Sequence, residues 1–82
     1  MANTLTTNDS GFTLLTQELR DFGLPDSYYS LGHERDERTC MILYKEKWLV
    51  YFSERGSMEG KNEFDSFEGA RAYLIKTLRQ TL

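Results

Sequence analysis

Apolar side chains recur along this chain in two rhythms, and the change of rhythm marks out its elements. Phe12, Leu15, Leu19 and Phe22 fall at helical spacing, with Thr13, Gln17, Glu18 and Arg20 away from that stripe. This predicts a helix of about three turns with Ser10 as its cap. Gly23 follows the last apolar position, where a left-handed stop favours glycine, and Pro25 prevents continuation. A helix this short is marginal alone, so its stripe must dock on something. Residues 1–9 are polar and without period, which predicts a loose tail.

The rhythm then shortens. After a turn at Asp26-Ser27, Tyr28–Leu31 reads as a short strand closed by Gly32, and His33–Arg38 as an exposed polar loop. Thr39–Tyr44 and Trp48–Ser53 are rich in aromatic and branched residues and form the strongest strand pair. A three-residue loop, Lys45-Glu46-Lys47, sets Tyr44 opposite Trp48, Ile42 opposite Val50 and Cys40 opposite Phe52, all six on the face toward the helices. A two-residue loop shifts that register. Glu54–Gly60 reads as a glycine-bracketed loop and Lys61–Phe64 as a last, edge strand. Asp65 with Glu68 makes a capping-box-like start to a second helix. Its stripe is Phe67, Ala70, Leu74 and Leu78, extended by Leu82, with Tyr73 and Ile75 partly exposed. The expected fold is one α+β domain over residues 10–82. It has the order α-β-β-β-β-α: a small antiparallel sheet of three to four strands, with the N- and C-terminal helices packed on one face.

Composition narrows the possibilities. Eighty-two residues hold one compact core, to which five Phe, five Tyr and one Trp contribute. A single cysteine excludes an intrachain disulfide framework and a Cys-based zinc site. No run is apolar enough to span a membrane, and the start lacks the features of a secretory signal, so the expected compartment is the cytoplasm. The net charge of −3 weakens any case for a general nucleic-acid surface. That charge is uneven: −2 over residues 1–25, −4 over 26–68 and +3 over 69–82. Cations suit the C-terminal end of a helix dipole. The acids instead fall in two loops and an edge strand, as Glu34, Asp36 and Glu37, then Glu54, Glu59 and Glu63. Their default reading is a solvated surface.

Candidate chemistry is sparse. His33 is the only histidine, and a small enzyme using it with Glu34 or Asp36 is one reading. A Cys40–His33 pair requires a thiol in that loop, whereas Cys40 is expected in the core as a small buried hydrophobe. His33 with Asp36 or Glu37 lacks a ligand from a second element, so no metal site, catalytic residue or cofactor is assigned. Gly56 and Gly60 lack the ending of a phosphate loop. The core order also suits a double-stranded-RNA-binding module, but the matching helix start is Asp65-Ser66-Phe67-Glu68, where phosphate contact needs lysines.

The segment Trp48-Leu49-Val50-Tyr51-Phe52-Ser53-Glu54-Arg55-Gly56 is followed by Glu63-Phe64-Asp65-Ser66 and a helix bearing Ala70, Tyr73 and Leu74. It resembles the pattern W-x-V-Y-(Y/F)-x-E-R-G … F-D-S-x-x-x-A of small bacterial immunity proteins. These neutralise toxin domains of contact-dependent inhibition and related polymorphic-toxin systems. Tyr29-Ser30-Leu31-Gly32 and Cys40 fit the same pattern, and the resemblance spans about residues 15–80. It implies a non-enzymatic inhibitor without cofactor, which binds a cognate toxin C-terminal domain and blocks its active site or an adjacent surface. A nuclease-like toxin has a basic cleft, and the six acids are suited to steer toward it. Arg55 pairs either with a toxin acid or with Glu54 or Glu63, and Tyr28 and Tyr51 are candidate anchors. The exposed Lys61–Phe64 edge leaves a monomer or weak homodimer as the expected state.

Overall fold

The computed structural model describes residues 3–81, with side chains from Gly11 to Thr81. Helix α1 (Asn3–Asp21) is followed by a 3-10 turn (Asp26–Tyr28) and strand β1 (Tyr29–Leu31). Strands β2 (Arg38–Tyr44), β3 (Lys47–Glu54) and β4 (Ser57–Phe64) lead to helix α2 (Phe67–Arg79). The order is the expected α-β-β-β-β-α, and the strands lie side by side as β1-β2-β3-β4. The sheet is antiparallel only from β2 to β4, because β1 pairs with β2 in parallel. A parallel return usually takes a dozen residues or more. Here β1 is three residues long, so the six residues 32–37 can retrace it.

Of the expected loose tail, residues 1 and 2 lie outside the described residues, and 3–9 are helical instead. Where the backbone is described, α1 already begins at Asn3, so Ser10 lies inside the helix and not at its start. The other end matches expectation. Gly23 takes φ 87°. Its N–H donates to the Arg20 carbonyl at 2.9 Å, and the Leu24 N–H donates to that of Leu19 at 3.1 Å. This paired capping turns the chain back and delivers Leu24 into the core beside Leu19.

The hairpin settles the register in favour of the two-residue loop. Tyr44 pairs with Lys47, and Lys45 and Glu46 both adopt positive φ, 49° and 67°. Such a turn matches the right-handed twist of its strands. Compared with the three-residue alternative, Leu43 faces Trp48, Met41 faces Val50 and Cys40 faces Tyr51. The six residues expected on one face are therefore divided. Met41, Trp48 and Val50 join Leu15, Leu19, Ala70, Leu74 and Leu78 under the helices, whereas Cys40, Leu49 and Tyr51 form a second buried cluster with Ile42 beside it. Phe12, Trp48 and Phe67 meet edge to face, with centroids 5.2–5.9 Å apart.

The second connection is also tighter than expected. Arg55 and Gly56, at φ 52° and 81°, make a two-residue turn, so β4 begins at Ser57 and not at Lys61. Gly60, at φ 63°, lies where the β3–β4 register shifts, a glycine-type bulge that bends this edge strand. Helix α2 is capped by Ser66, whose Oγ accepts from the Gly69 N–H at 3.1 Å. Asp65 is not the cap; it bonds Lys47 across the sheet edge. Glu68 lies 3.5 Å from Arg71, and Arg71 also forks onto Glu18 of α1, with Nε to Oε1 at 2.9 Å. Leu74 and Leu78 are buried and Tyr73 and Ile75 half-buried as expected, while Leu82 lies outside the described residues. Leu74→Ala is expected to cost about 3 kcal/mol in urea unfolding at unchanged m-value, and Leu14→Ala, on the exposed side of α1, less than about 0.5 kcal/mol.

Candidate functional site

Cys40, Leu49 and Tyr51 lie on the sheet face away from the helices, so something other than a helix must cover them. Residues 33–37 cover Cys40 and Tyr51, and Ile42 packs beside the cluster. The Cys40 Sγ sits 3.5 Å from both the N–H and the carbonyl oxygen of Arg35, and Glu34 Oε1 accepts from the Tyr51 hydroxyl at 2.7 Å. Burial, followed by the hydrogen bond to Glu34, pushes the Tyr51 phenol up, and burial pushes the Cys40 thiol up.

The same segment is tied to the β3–β4 turn. The Glu37 N–H donates to the Ser53 carbonyl at 2.6 Å, and Asp36 Oδ1 accepts from the Arg55 N–H at 2.7 Å. Glu37 holds φ 59°, a conformation uncommon outside glycine that lets its N–H reach Ser53. These two bonds bring loops distant in sequence to one end of the sheet. Glu34, Asp36 and Glu37 stand there with Glu54, all exposed. Glu59 faces Phe52 across the β3–β4 ladder.

An aromatic pair adjoins the acids. Phe52 is 39% exposed and Tyr28 43%. With Glu37, Thr39 and Leu78 they line a shallow cavity of about 320 Å³. Phe52 borders Leu78 of α2 across this cavity but stays part-exposed, whereas Val50, two residues earlier, is buried. Half-exposed aromatics with a polar rim are typical of surfaces that bind protein.

Seven of the nine expected contact residues, namely Tyr28, Glu34, Asp36, Glu37, Glu54, Arg55 and Glu59, fall in this region. The other two do not. Tyr51 lies within reach of Glu34 but is 2% exposed and is no surface anchor, because the face away from the helices is itself covered there. Glu63 is opposite Leu49, near the other end of β3, and pairs with Lys61 at 3.6 Å. Arg55 makes no ion pair with Glu54, Glu63 or any other described residue; only its backbone N–H is engaged. Phe52 was expected on the face toward the helices, and alternation alone gave no sign that it would stay part-exposed beside α2.

His33 is exposed and accepts from Arg35 Nε at 3.1 Å, so no carboxylate orients it. Cys40 is buried away from it as expected. Among the described residues no group of three or more His, Cys, Asp or Glu is placed to hold a metal ion. No helix among them is long and apolar enough to cross a membrane. Searches against protein-family models, curated proteins and solved structures return no match for this chain.

Asp36→Ala removes the tie between the two loops. It is expected to destabilise by about 1 kcal/mol and to speed hydrogen exchange at the Arg55 amide above all others. The pH dependence has a definite sign. Folding raises the Cys40, Tyr29 and Tyr51 pKa values above those of the unfolded chain. Their contribution is complete below the unfolded values and is lost as pH rises through the folded ones. Urea midpoints should therefore fall above about pH 9, and Tyr51→Phe should flatten that fall.

Proposed function

We propose that this chain is an immunity-type inhibitor: a protein that binds one toxin domain with a basic cleft and blocks its active site or an adjacent surface. The observation that carries the reading is the bonded pair of loops. It presents Glu34, Asp36, Glu37 and Glu54 on one end of the sheet, beside the half-exposed Tyr28 and Phe52. Acids held on tight turns attract a cationic surface at little ordering cost, and the adjoining aromatics supply apolar contact at its centre. The resemblance of the Trp48–Gly56 segment to immunity proteins points the same way. The proposed partner is a protein, the compartment the cytoplasm and the mode non-enzymatic, without cofactor.

The double-stranded-RNA reading has less support. The α2 start carries Asp65, which holds Lys47, and Glu68, and the first cation on the helix, Arg71, is engaged by Glu18 and Glu68. The His33 enzyme lacks an orienting acid.

The test is co-expression with the toxin domain encoded immediately upstream. Protection of the host cells and co-purification are expected, and a toxin that still kills overturns the proposal. Glu37→Lys combined with Glu59→Lys should slow association by about tenfold at low salt and far less at high salt. Phe52→Ala should weaken the complex by about 2 kcal/mol while the free protein keeps its unfolding midpoint.

A further inference from the structure

The segment that presents the acids has a second side. Glu34 reaches Tyr51 and Asp36 reaches the Arg55 amide, whereas His33 and Arg35 turn toward the β1 edge. There they line an open pocket of about 220 Å³ together with Arg20 of α1, Asp26 and Arg38 of β2. Cations dominate this lining: three arginines face one carboxylate.

That carboxylate is already committed. Asp26 accepts from Arg20 Nε at 3.3 Å and Arg20 Nη2 at 3.2 Å, and from the Tyr29 hydroxyl at 2.9 Å. The Arg20 fork and then the Tyr29 hydroxyl hold it below the usual carboxylate range, so it stays charged and matched to Arg20. Arg35 and Arg38 are left over. The Arg35 side chain bonds only His33 Nε2, at 3.1 Å, and the guanidinium of Arg38 has no hydrogen-bond or ion-pair partner among the described residues although the residue is half-buried. The pocket wall is also held in place. The buried Ser30 donates to the His33 carbonyl at 2.6 Å, and Arg38 stands on β2 in register with Ser53.

We propose that this pocket binds a tetrahedral dianion of the phosphate class, as free phosphate or as a phosphomonoester. Two uncompensated guanidinium groups match its charge, and planar forks suit its oxygens better than lysines would. Arg35 and Arg38 grip the anion, Arg20 adds field while keeping Asp26, and the imidazole of His33 borders the oxygens. The site is distinct from the acidic end and does not depend on the inhibitor reading.

The experiment is a titration of the full chain with inorganic phosphate, phosphoserine and sulfate at constant ionic strength, with chloride as the replaced anion. It is followed by NMR at the backbone amides of residues 29–38 and the arginine Nε–H signals. Saturable shifts confined to these residues are expected with phosphate and sulfate and not with chloride. Tighter binding of phosphoserine than of inorganic phosphate identifies a monoester ligand, and equal or weaker binding identifies the free ion. Arg38→Gln and Arg35→Gln should each weaken binding by about tenfold and Arg38→Lys by less, whereas Lys76→Gln on α2 should have no effect. Dispersed spectra show that each variant is folded, and either glutamine variant alone suffices for the comparison. Absence of saturable shifts up to about 20 mM phosphate, or equal binding by wild type and the glutamine variants, overturns the proposal.

Discussion

The two-residue turn at Lys45-Glu46 decides which side of the sheet every residue of β2 and β3 occupies. Because side chains alternate, this one turn sends Met41, Trp48 and Val50 under the helices and Cys40, Leu49 and Tyr51 to the opposite face. An aromatic and a thiol on that second face cannot be left in water without losing their burial. The chain covers them with the return from β1 to β2. The presence of a buried cluster on the back of the sheet thus fixes where residues 33–37 must lie.

That return forms no helix: it bends at residues 32–33 and turns at 36–37, and it sends its side chains to opposite sides. Its sequence, His33-Glu34-Arg35-Asp36-Glu37, alternates in charge over its first four residues. Path and sequence together sort the charges: Glu34 and Asp36 lean toward Tyr51 and the Arg55 turn, and His33 and Arg35 toward the β1 edge. A run of three acids and one arginine thus contributes to two surfaces of opposite sign. Ion pairs exposed to solvent, such as Lys47 with Asp65, contribute little to this arrangement. Backbone N–H groups satisfied at Glu37 and Arg55 contribute more, because they set the position of the loops themselves.

Much of the fold was legible in the sequence. The apolar stripes of both helices, the Gly23 stop, the hairpin and the α-β-β-β-β-α order follow from periodicity and turn chemistry. The register was not, because Lys45-Glu46 has no glycine to announce a turn with two positive φ angles, so tertiary packing decided it. The parallel pairing of β1 was hidden for a related reason: a three-residue strand carries too little pattern to show direction. At the candidate site, the acids were legible as a cluster in sequence. Their union with the Arg55 turn depends on backbone bonds that no side-chain pattern encodes. Tyr51 and Phe52 exchanged roles, buried and exposed, because the chain between β1 and β2 covers the back of the sheet at Tyr51 while Phe52 stays part-exposed beside α2.

The bonds that shape the acidic end place an unusual freedom in the hands of mutation. The crossover is held chiefly by the Glu37 amide, the Arg55 amide, the Asp36 carboxylate and the Cys40 thiol. The side chains of Glu37, Glu54 and Arg55 take no part in those bonds. A lineage can therefore replace them one at a time and change what the surface recognises, while the scaffold under selection for folding stays the same. Under the proposed reading, partner choice and architecture rest on different atoms of the same loops.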